Sequence, residues 1–417
     1  MNILFISEKG EGIGLAYRMG YEGHKVKLFV RQPEYEFTGL GLVERVESWR
    51  PELARVDFVI CDSSGMGFYQ NVFKDVKVPV LGSNSIADII NGDPAKVVEL
   101  CEKAGIICPK TWTLRDPSDG SSLISDFPKS GLIIKATDSN KVSQTVLCRD
   151  PQTYYWALTK FDSSYSIVVQ EYIIGTKLAV EGWFNGTSWI TPYLLTFSDY
   201  SDISEDGFSS ITGTTVIKKT KPNNIIRDSV MKFTPLLKKI SYKGPISINC
   251  VVVGKKVYAV SINPKMTYDS IEAISEGLQS NLTDFLYKVA TTGIDEMPVT
   301  TDHLISVRLG TPYNPAKIDM PIVGLVPENL KHIFLHNVYK WECGAGEERN
   351  PSKDEIRYIG PGSLVAKVTA RGRDIGEARN RVYRTIDNLS FLDKRFDPNV
   401  GANVEKSLSY LGQQGHI

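Results

Sequence analysis

The chain opens on an unbroken apolar run, MNILFIS, that stops at the glycine-containing turn KGEGIG. A short apolar run bounded by turn residues reads as a buried strand, and the stretch that follows it reads as a helix. KVKLFV, DFVICD and VPVLG repeat the strand-and-turn pattern within residues 1–92. Strands that alternate with helices and lack a polar face predict a parallel, doubly wound sheet whose ligand sits at the carboxyl ends of its strands.

DPAKVVELCEKAG predicts a helix with Asp93 as N-cap and Pro94 at its first position. From PKTWTL through GLIIKA and QTVLC to SIVVQEYI the pattern breaks into short β-rich pieces with one helix among them. Beyond Lys177 it becomes long alternating runs, LAVEGWFNG, WITPYLLTF and SINCVVVGKKVYAVSIN, closed by the helix SNLTDFLYKVATTG. Alternation with turns such as Asn185-Gly186 predicts an antiparallel sheet. HLISVRLG, KHIFLHNVYKWE and SLVAKVTARG, with the amphipathic helix DIGEARNRVYRTIDNL, read as a small closing β-rich unit. The fold class is therefore α/β and α+β multidomain: an N-terminal α/β domain 1–92, a linking helix 93–108, a small module 109–175, a larger module 176–310 and a C-terminal β-rich domain 311–417.

Composition narrows the function by exclusion. With 48 basic and 48 acidic residues the formal net charge is zero, so neither a nucleic acid nor a membrane is recruited by bulk charge. Six cysteines without a CxxC pair read as reduced thiols, not as a disulfide frame or a zinc site. The N-terminal run lacks the basic start and cleavage site of a signal peptide, and no apolar stretch is long enough to span a bilayer. A cytoplasmic protein acting on small molecules is expected, with its oligomeric state unread. The five histidines form no metal set, and GxSxG is absent.

Two lysines carry the first chemical signal. Lys135 interrupts the apolar strand LIIKA, where an unpaired charge is costly, and Lys96 lies near the start of the preceding helix. Taken singly, each reads as a surface lysine; facing each other across a cleft, they are what a desolvated triphosphate requires. The hairpin ATDSNKVSQT, with Lys141 and small hydroxyl residues, reads either as a flap over phosphates or as an ordinary turn. In VVQEYIIG, Gln170 and Glu171 close an apolar strand, and a strand leaving its sheet there offers backbone groups to an adenine edge between Tyr172 and Ile173. Gly10, Gly12 and Gly14 form G-x-G-x-G in the first turn, where a helix N-terminus suits a phosphate. The loop 204–215, with Asp206, Ser209, Ser210, Thr212 and Gly213, reads as a polar loop or as a cradle for phosphate or carboxylate.

In order and spacing, Lys96, IIKA, the hairpin, VVQEYIIG, the strand pair ending in VSIN, GPGSLVAKVTARG, GEARNRVY and DKRFDPNVG together resemble the glycinamide ribonucleotide synthetase (phosphoribosylamine–glycine ligase) family along nearly the whole chain. The resemblance implies an ATP-grasp fold and an enzyme that uses ATP and Mg2+ to join an amino acid, glycine in that family, to a phosphorylated amine through an acyl phosphate. It assigns ATP contacts to Lys96, Lys135, Lys141, Gln170, Glu171, Ile173 and Lys177, and catalytic roles to Lys265 and Asn263. Metal positions fall on Asn249, Ser261 and Asn263, and substrate positions on the first turn and the loop 204–215.

The chain also departs from the family. DSNKVSQ has no glycine where the family's flap is glycine-rich, and Lys177 stands where a ribose-binding glutamate is expected, with Glu181 as a substitute. Asn249 and Ser261 are neutral where the family has carboxylates, which leaves Asp269 or Glu272 to swing in; Lys265 stands for an arginine. Three readings follow: a glycine ligase, a ligase for another amine such as a modified nucleotide, and a nucleotide- or partner-binding relative without catalysis.

Overall fold

The computed structural model describes residues 1–417 except 64, 83, 138–142, 163, 202–209, 220, 300–302, 315–318, 342–354 and 361. The N-terminal strands β1 (Asn2–Ser7), β2 (Lys25–Val30), β3 (Glu44–Arg45), β4 (Phe58–Cys61) and β5 (Val80–Leu81) form a parallel sheet in the order β3-β2-β1-β4-β5. Both faces of β1 are covered: Ile3 and Phe5 enter one core, Leu4 and Ile6 another. This double burial is why MNILFIS shows no polar alternation.

The helix Pro94–Lys103 begins as expected, with the Asp93 carboxylate accepting from the amides of Ala95 (2.9 Å) and Lys96 (3.1 Å). It leads into β6 (Thr111–Leu114), β7 (Leu132–Thr137), β8 (Ser143–Cys148) and β9 (Ser166–Glu171), an antiparallel sheet ordered β6-β9-β7-β8. One face of this small sheet buries Leu132, Ile134 and Ala136 against Tyr154, Leu158 and Phe161, a core drawn entirely from its own segment. Ile133 and Lys135, the alternate residues of β7, therefore face the other way.

The larger sheet holds β10 (Thr176–Asn185), β11 (Trp189–Ser201), β12 (Ser210–Lys219), β13 (Lys243–Val253), β14 (Lys256–Asn263) and β15 (His303–Asn314). The turn after β10 is closed by the buried Asn185, whose Oδ1 accepts from the amides of Thr187 and Ser188. Further on come β16 (Met320–Pro321), β17 (Ile333–Leu335), β18 (Val338–Trp341), β19 (Glu355–Tyr358) and β20 (Gly362–Gly372). The closing segment differs from the expectation of a separate unit beginning at 311. β15 runs through residue 310, and β20 and β17 extend the same sheet, ordered β14-β13-β10-β11-β12-β15-β20-β17. SLVAKVTARG cannot stand alone because its apolar face needs β15 and the helix Ile375–Asp387, whose Ala378, Val382 and Ile386 share its core. Among the described residues of this closing segment, only β16, β19 and β18 make a small sheet of their own.

One core joins the parallel sheet to the large one. Ile3, Phe5 and Phe58 pack with Trp183, Leu194, Ile274 and Phe285, the last two on the helices Tyr268–Gly277 and Leu282–Ala290. A polar tie reinforces it: the Glu22 carboxylate accepts from the amides of Leu282 (3.0 Å) and Thr283 (3.1 Å), placing an anion at that helix's positive end. Phe285 is fully buried, 5.0 Å from the Trp183 ring centroid. Phe285→Ala is expected to destabilise the chain by about 3–5 kcal/mol, read as a lowered denaturation midpoint; a change under about 1 kcal/mol would disprove the shared core.

Candidate functional site

The strongest candidate lies where the small sheet meets the large one. Lys135 leaves β7 on the face away from the small core and crosses to β14, where its Nζ donates to the Val260 carbonyl (2.6 Å) and to Gln170 Oε1 (3.0 Å). Gln170 is buried on β9, and its Nε2 donates in turn to Thr111 Oγ1 (3.1 Å). All these partners are neutral. Among the described residues Lys135 has no carboxylate partner, and burial draws its ammonium down to about 8.

Gln170 and Glu171 end β9, and 172–175 carry the chain from the small sheet to the large one. The Glu171 amide donates to the Lys110 carbonyl (2.9 Å) and the Tyr172 amide to that of Gly131 (3.0 Å). The Ile173 amide and carbonyl make no backbone hydrogen bond among the described residues. Lys177 is exposed at the start of β10, its Nζ 5.4 Å from the Tyr172 ring centroid. Lys96 sits on a helix that packs against β14, the strand Lys135 reaches, but its ammonium is held on its own helix by Glu99 (2.6 Å). The two lysines' elements thus converge on one strand, while their ammonium groups share no partner among the described residues.

Asn249 and Ser261 face each other across β13 and β14, and the Asn249 amide donates to Ser261 Oγ (2.7 Å). Asn263, opposite Ser247, lies one pleat further. This donor set is neutral. Magnesium requires hard, preferably anionic oxygens, so these residues do not fit a resident magnesium ion. No group of His, Cys, Asp and Glu among the described residues could hold a metal. Lys265 follows β14, half-buried.

Asp269 does not swing toward Ser261. It forms a bidentate pair with Arg308 (3.0 and 2.6 Å) and lies 3.4 Å from Lys367 Nζ. Burial alone would raise its carboxyl; the Lys367 and Arg308 charges outweigh that and hold it well below the usual carboxylate range. Glu272, one helical turn on, is fully buried beside Lys367 (3.0 Å) and His336 (3.4 Å). Both carboxylates are thus committed to an internal ion cluster between their helix and β15, β20 and the residue following β17. Lys367 and Arg308 interrupt apolar strands just as Lys135 does, a signal present in SLVAKVTARG and LISVRLG that sequence reading passed over.

The first turn is closed by its own side chains. The Gly10 amide donates to Ser7 Oγ (2.9 Å) and the Gly12 amide to the buried Asp62 carboxylate (3.0 Å). A Cβ on Gly12 would lie 2.5 Å from that carboxylate, and one on Gly14 3.0 Å from Phe334 Cβ. Both glycines are therefore required by packing. Glu11 approaches the ion cluster, its charge felt at Arg308 and His336. Glu181, fully buried, donates nothing to the cleft: its carboxylate accepts from Trp183 Nε1 (2.9 Å), and burial raises it to about 7. Thr212 Oγ1 donates to the Asp199 carbonyl (3.2 Å) and lies 3.1 Å from Asp397 Oδ2. A Cβ on Gly213 would lie 2.5 Å from Val400. Ser210 pairs with Ser201 in the β11–β12 ladder. Lys141, Asp206 and Ser209 lie outside the described residues.

Solved structures share this architecture. Phosphoribosylamine–glycine ligase of Thermotoga maritima superposes with a TM-score of 0.69 at 15% identity, covering 95% of this chain and 99% of that one. Biotin carboxylase of Campylobacter jejuni, in a β-γ-ATP complex, gives 0.63 at 13%, covering 100% and 97%. N5-carboxyaminoimidazole ribonucleotide synthetase of Thermus thermophilus gives 0.61 at 13%, covering 93% and 98%. The chain has the ATP-grasp fold. No protein-family model matches it, and at these identities the likeness establishes the fold alone. No helix among the described residues is long and apolar enough to cross a membrane.

Asp269→Asn leaves Arg308 and Lys367 short of a buried counter-charge and is expected to cost about 3–5 kcal/mol in a denaturant titration. Because the Asp269 carboxyl sits lower in the folded state than in the unfolded chain, its contribution is present above about pH 4 and fades as pH falls below that value. The variant should therefore lose part of the wild-type acid dependence; an unchanged acid limb contradicts the cluster.

Proposed function

We propose that the chain is an ATP-dependent ligase that joins a carboxylate to an amine. The observation that carries this reading is Lys135: a buried ammonium held by neutral groups between two sheets is incompletely compensated, and a nucleotide phosphate supplies the missing charge. The amide and carbonyl of Ile173, without a backbone hydrogen bond among the described residues and two residues beyond Glu171, supply the donor and acceptor an adenine edge needs, beside Tyr172 and Lys177. In the proposed reaction a substrate carboxylate oxygen attacks the γ-phosphorus and ADP leaves; the amine nitrogen then attacks the acyl carbon, loses its proton and expels phosphate. Lys135 and Lys265 hold the transferring phosphate, with Asn263 as an orienting amide, and Lys96 joins them once it releases Glu99. No step is routed through magnesium.

The first turn favours an amine other than phosphoribosylamine, since the Gly10 and Gly12 amides already serve Ser7 and Asp62 and are not open to a ribose phosphate. A second reading, a nucleotide-binding protein without catalysis, is favoured by the Asn249–Ser261 pair, which satisfies itself where an acidic pair would hold metal. Phosphate release measured with glycine and a panel of amines separates the two. Turnover with any carboxylate–amine pair supports the ligase, and ATP binding without turnover supports the second reading.

Lys135→Ala is expected to weaken ATP binding in calorimetry and, for an active ligase, to lower turnover by about two orders of magnitude or more; unchanged binding and rate remove Lys135 from the site.

The ammonium titrates near 8 and must be charged to hold phosphate, so ATP affinity should fall as pH rises past about 8, with proton uptake on binding at that pH. Lys135→Ala should abolish both effects. Affinity that is flat from pH 7 to 9, and uptake that is the same in the variant, count against the assignment.

A further inference from the structure

Three cysteines converge at the root of the small sheet. After the helix Pro94–Lys103 the chain folds back, with the Ile106 amide donating to the Cys101 carbonyl (2.8 Å). This sets the half-buried Cys108 against the core that holds Cys101 and Cys250. The Ile107 carbonyl accepts from the Ala259 amide (2.8 Å), and Ala259 lies directly across the ladder from Cys250. The next residue, Val260, accepts from Lys135 Nζ. Cys108 thus stands between a buried thiol and the Lys135 ammonium.

We propose that Cys108 and Cys101 form a peroxide-oxidisable pair, a redox modification site at the root of the small sheet. The two side chains hydrogen-bond each other, which lowers Cys108 and raises Cys101. Burial adds to the rise at Cys101 and works against the fall at Cys108, as Glu102 does, while Lys135 favours the Cys108 thiolate. The more exposed sulfur is therefore the nucleophile and the buried one the resolving thiol. The Cys108 thiolate attacks one peroxide oxygen, the O–O bond breaks, and a sulfenic acid forms with release of hydroxide. The Cys101 sulfur then attacks the Cys108 sulfur; the hydroxyl leaves and, with the thiol proton, becomes water. Two thiols are oxidised by two electrons and one peroxide becomes two waters. The disulfide removes an ionisable thiol beside Lys135 and staples the entry to β6 onto the preceding helix. A link to nucleotide binding rests on the reading of Lys135 given above; the crosslink itself does not.

The experiment treats the full chain with hydrogen peroxide, with and without ATP, and maps disulfides by peptide mass spectrometry. The proposal expects a 101–108 crosslink without nucleotide, reversed by dithiothreitol. Cys108→Ser should abolish it, and Cys101→Ala should leave a Cys108 sulfenic acid that dimedone traps. Alkylation of Cys108 by iodoacetamide should be about tenfold faster than that of Cys101 or Cys250, and slower in Lys135→Met. A crosslink through Cys250, irreversible oxidation of Cys108 alone, or no reaction in the wild-type chain overturns the pair. A 101–108 crosslink that saturating ATP fails to slow supports the pair and counts against the nucleotide reading.

Discussion

The two sheets meet at the Lys135 ammonium, which no carboxylate among the described residues neutralises, and much of the surrounding structure serves to set it there. The small sheet keeps its own core, so β7 can turn Lys135 outward; β14 lies where that side chain ends, and Gln170 fixes it from the side. Lys367 is the instructive contrast. It is buried more deeply, yet Asp269 and Glu272 stand within 3.4 and 3.0 Å of it. A lysine with two buried carboxylates is internally compensated and holds the fold; one with an amide oxygen and a carbonyl is not, and its remaining field is available to a ligand.

The sequence carried the elements well because their period was unambiguous. MNILFIS, KVKLFV, LIIKA and the VSIN strand pair appear as strands, and Asp93 and Pro94 start their helix as the capping chemistry requires. It carried the boundaries of assembly less well. Nothing in SLVAKVTARG distinguishes a strand of a small closing unit from one that extends a larger sheet, since both present one apolar face; the partner strand, β15, is chosen by tertiary packing.

The site was legible in the same uneven way. A charge inside an apolar strand marked Lys135, and the same mark lay unread on Lys367 and Arg308. Asp269 was visible as an acid near the metal positions, but its direction depended on which face of its helix met β15 and β20, and no local pattern encodes that. The glycines of the first turn matched a phosphate-binding spacing, yet their absent side chains make room for Asp62 and Phe334. A glycine motif reports that something approaches the backbone closely; it does not report whether that is a ligand or the chain itself.

The neutral pair on β13 and β14 fits this electrostatic design. Two carboxylates with one divalent cation carry no net charge, and neither do an asparagine and a serine with none. Compared with a pair of acids, Asn249 and Ser261 thus lack the repulsion that carboxylates would exert on a phosphate, and with it the need for an ion to screen them. What the exchange cannot replace is the cation's attraction for the phosphate itself. In the proposed ligase that attraction would have to come from side chains: Lys135 reaches β14, and Lys265 follows that strand. In the proposed ligase the neutral pair is what would make the uncompensated lysine necessary.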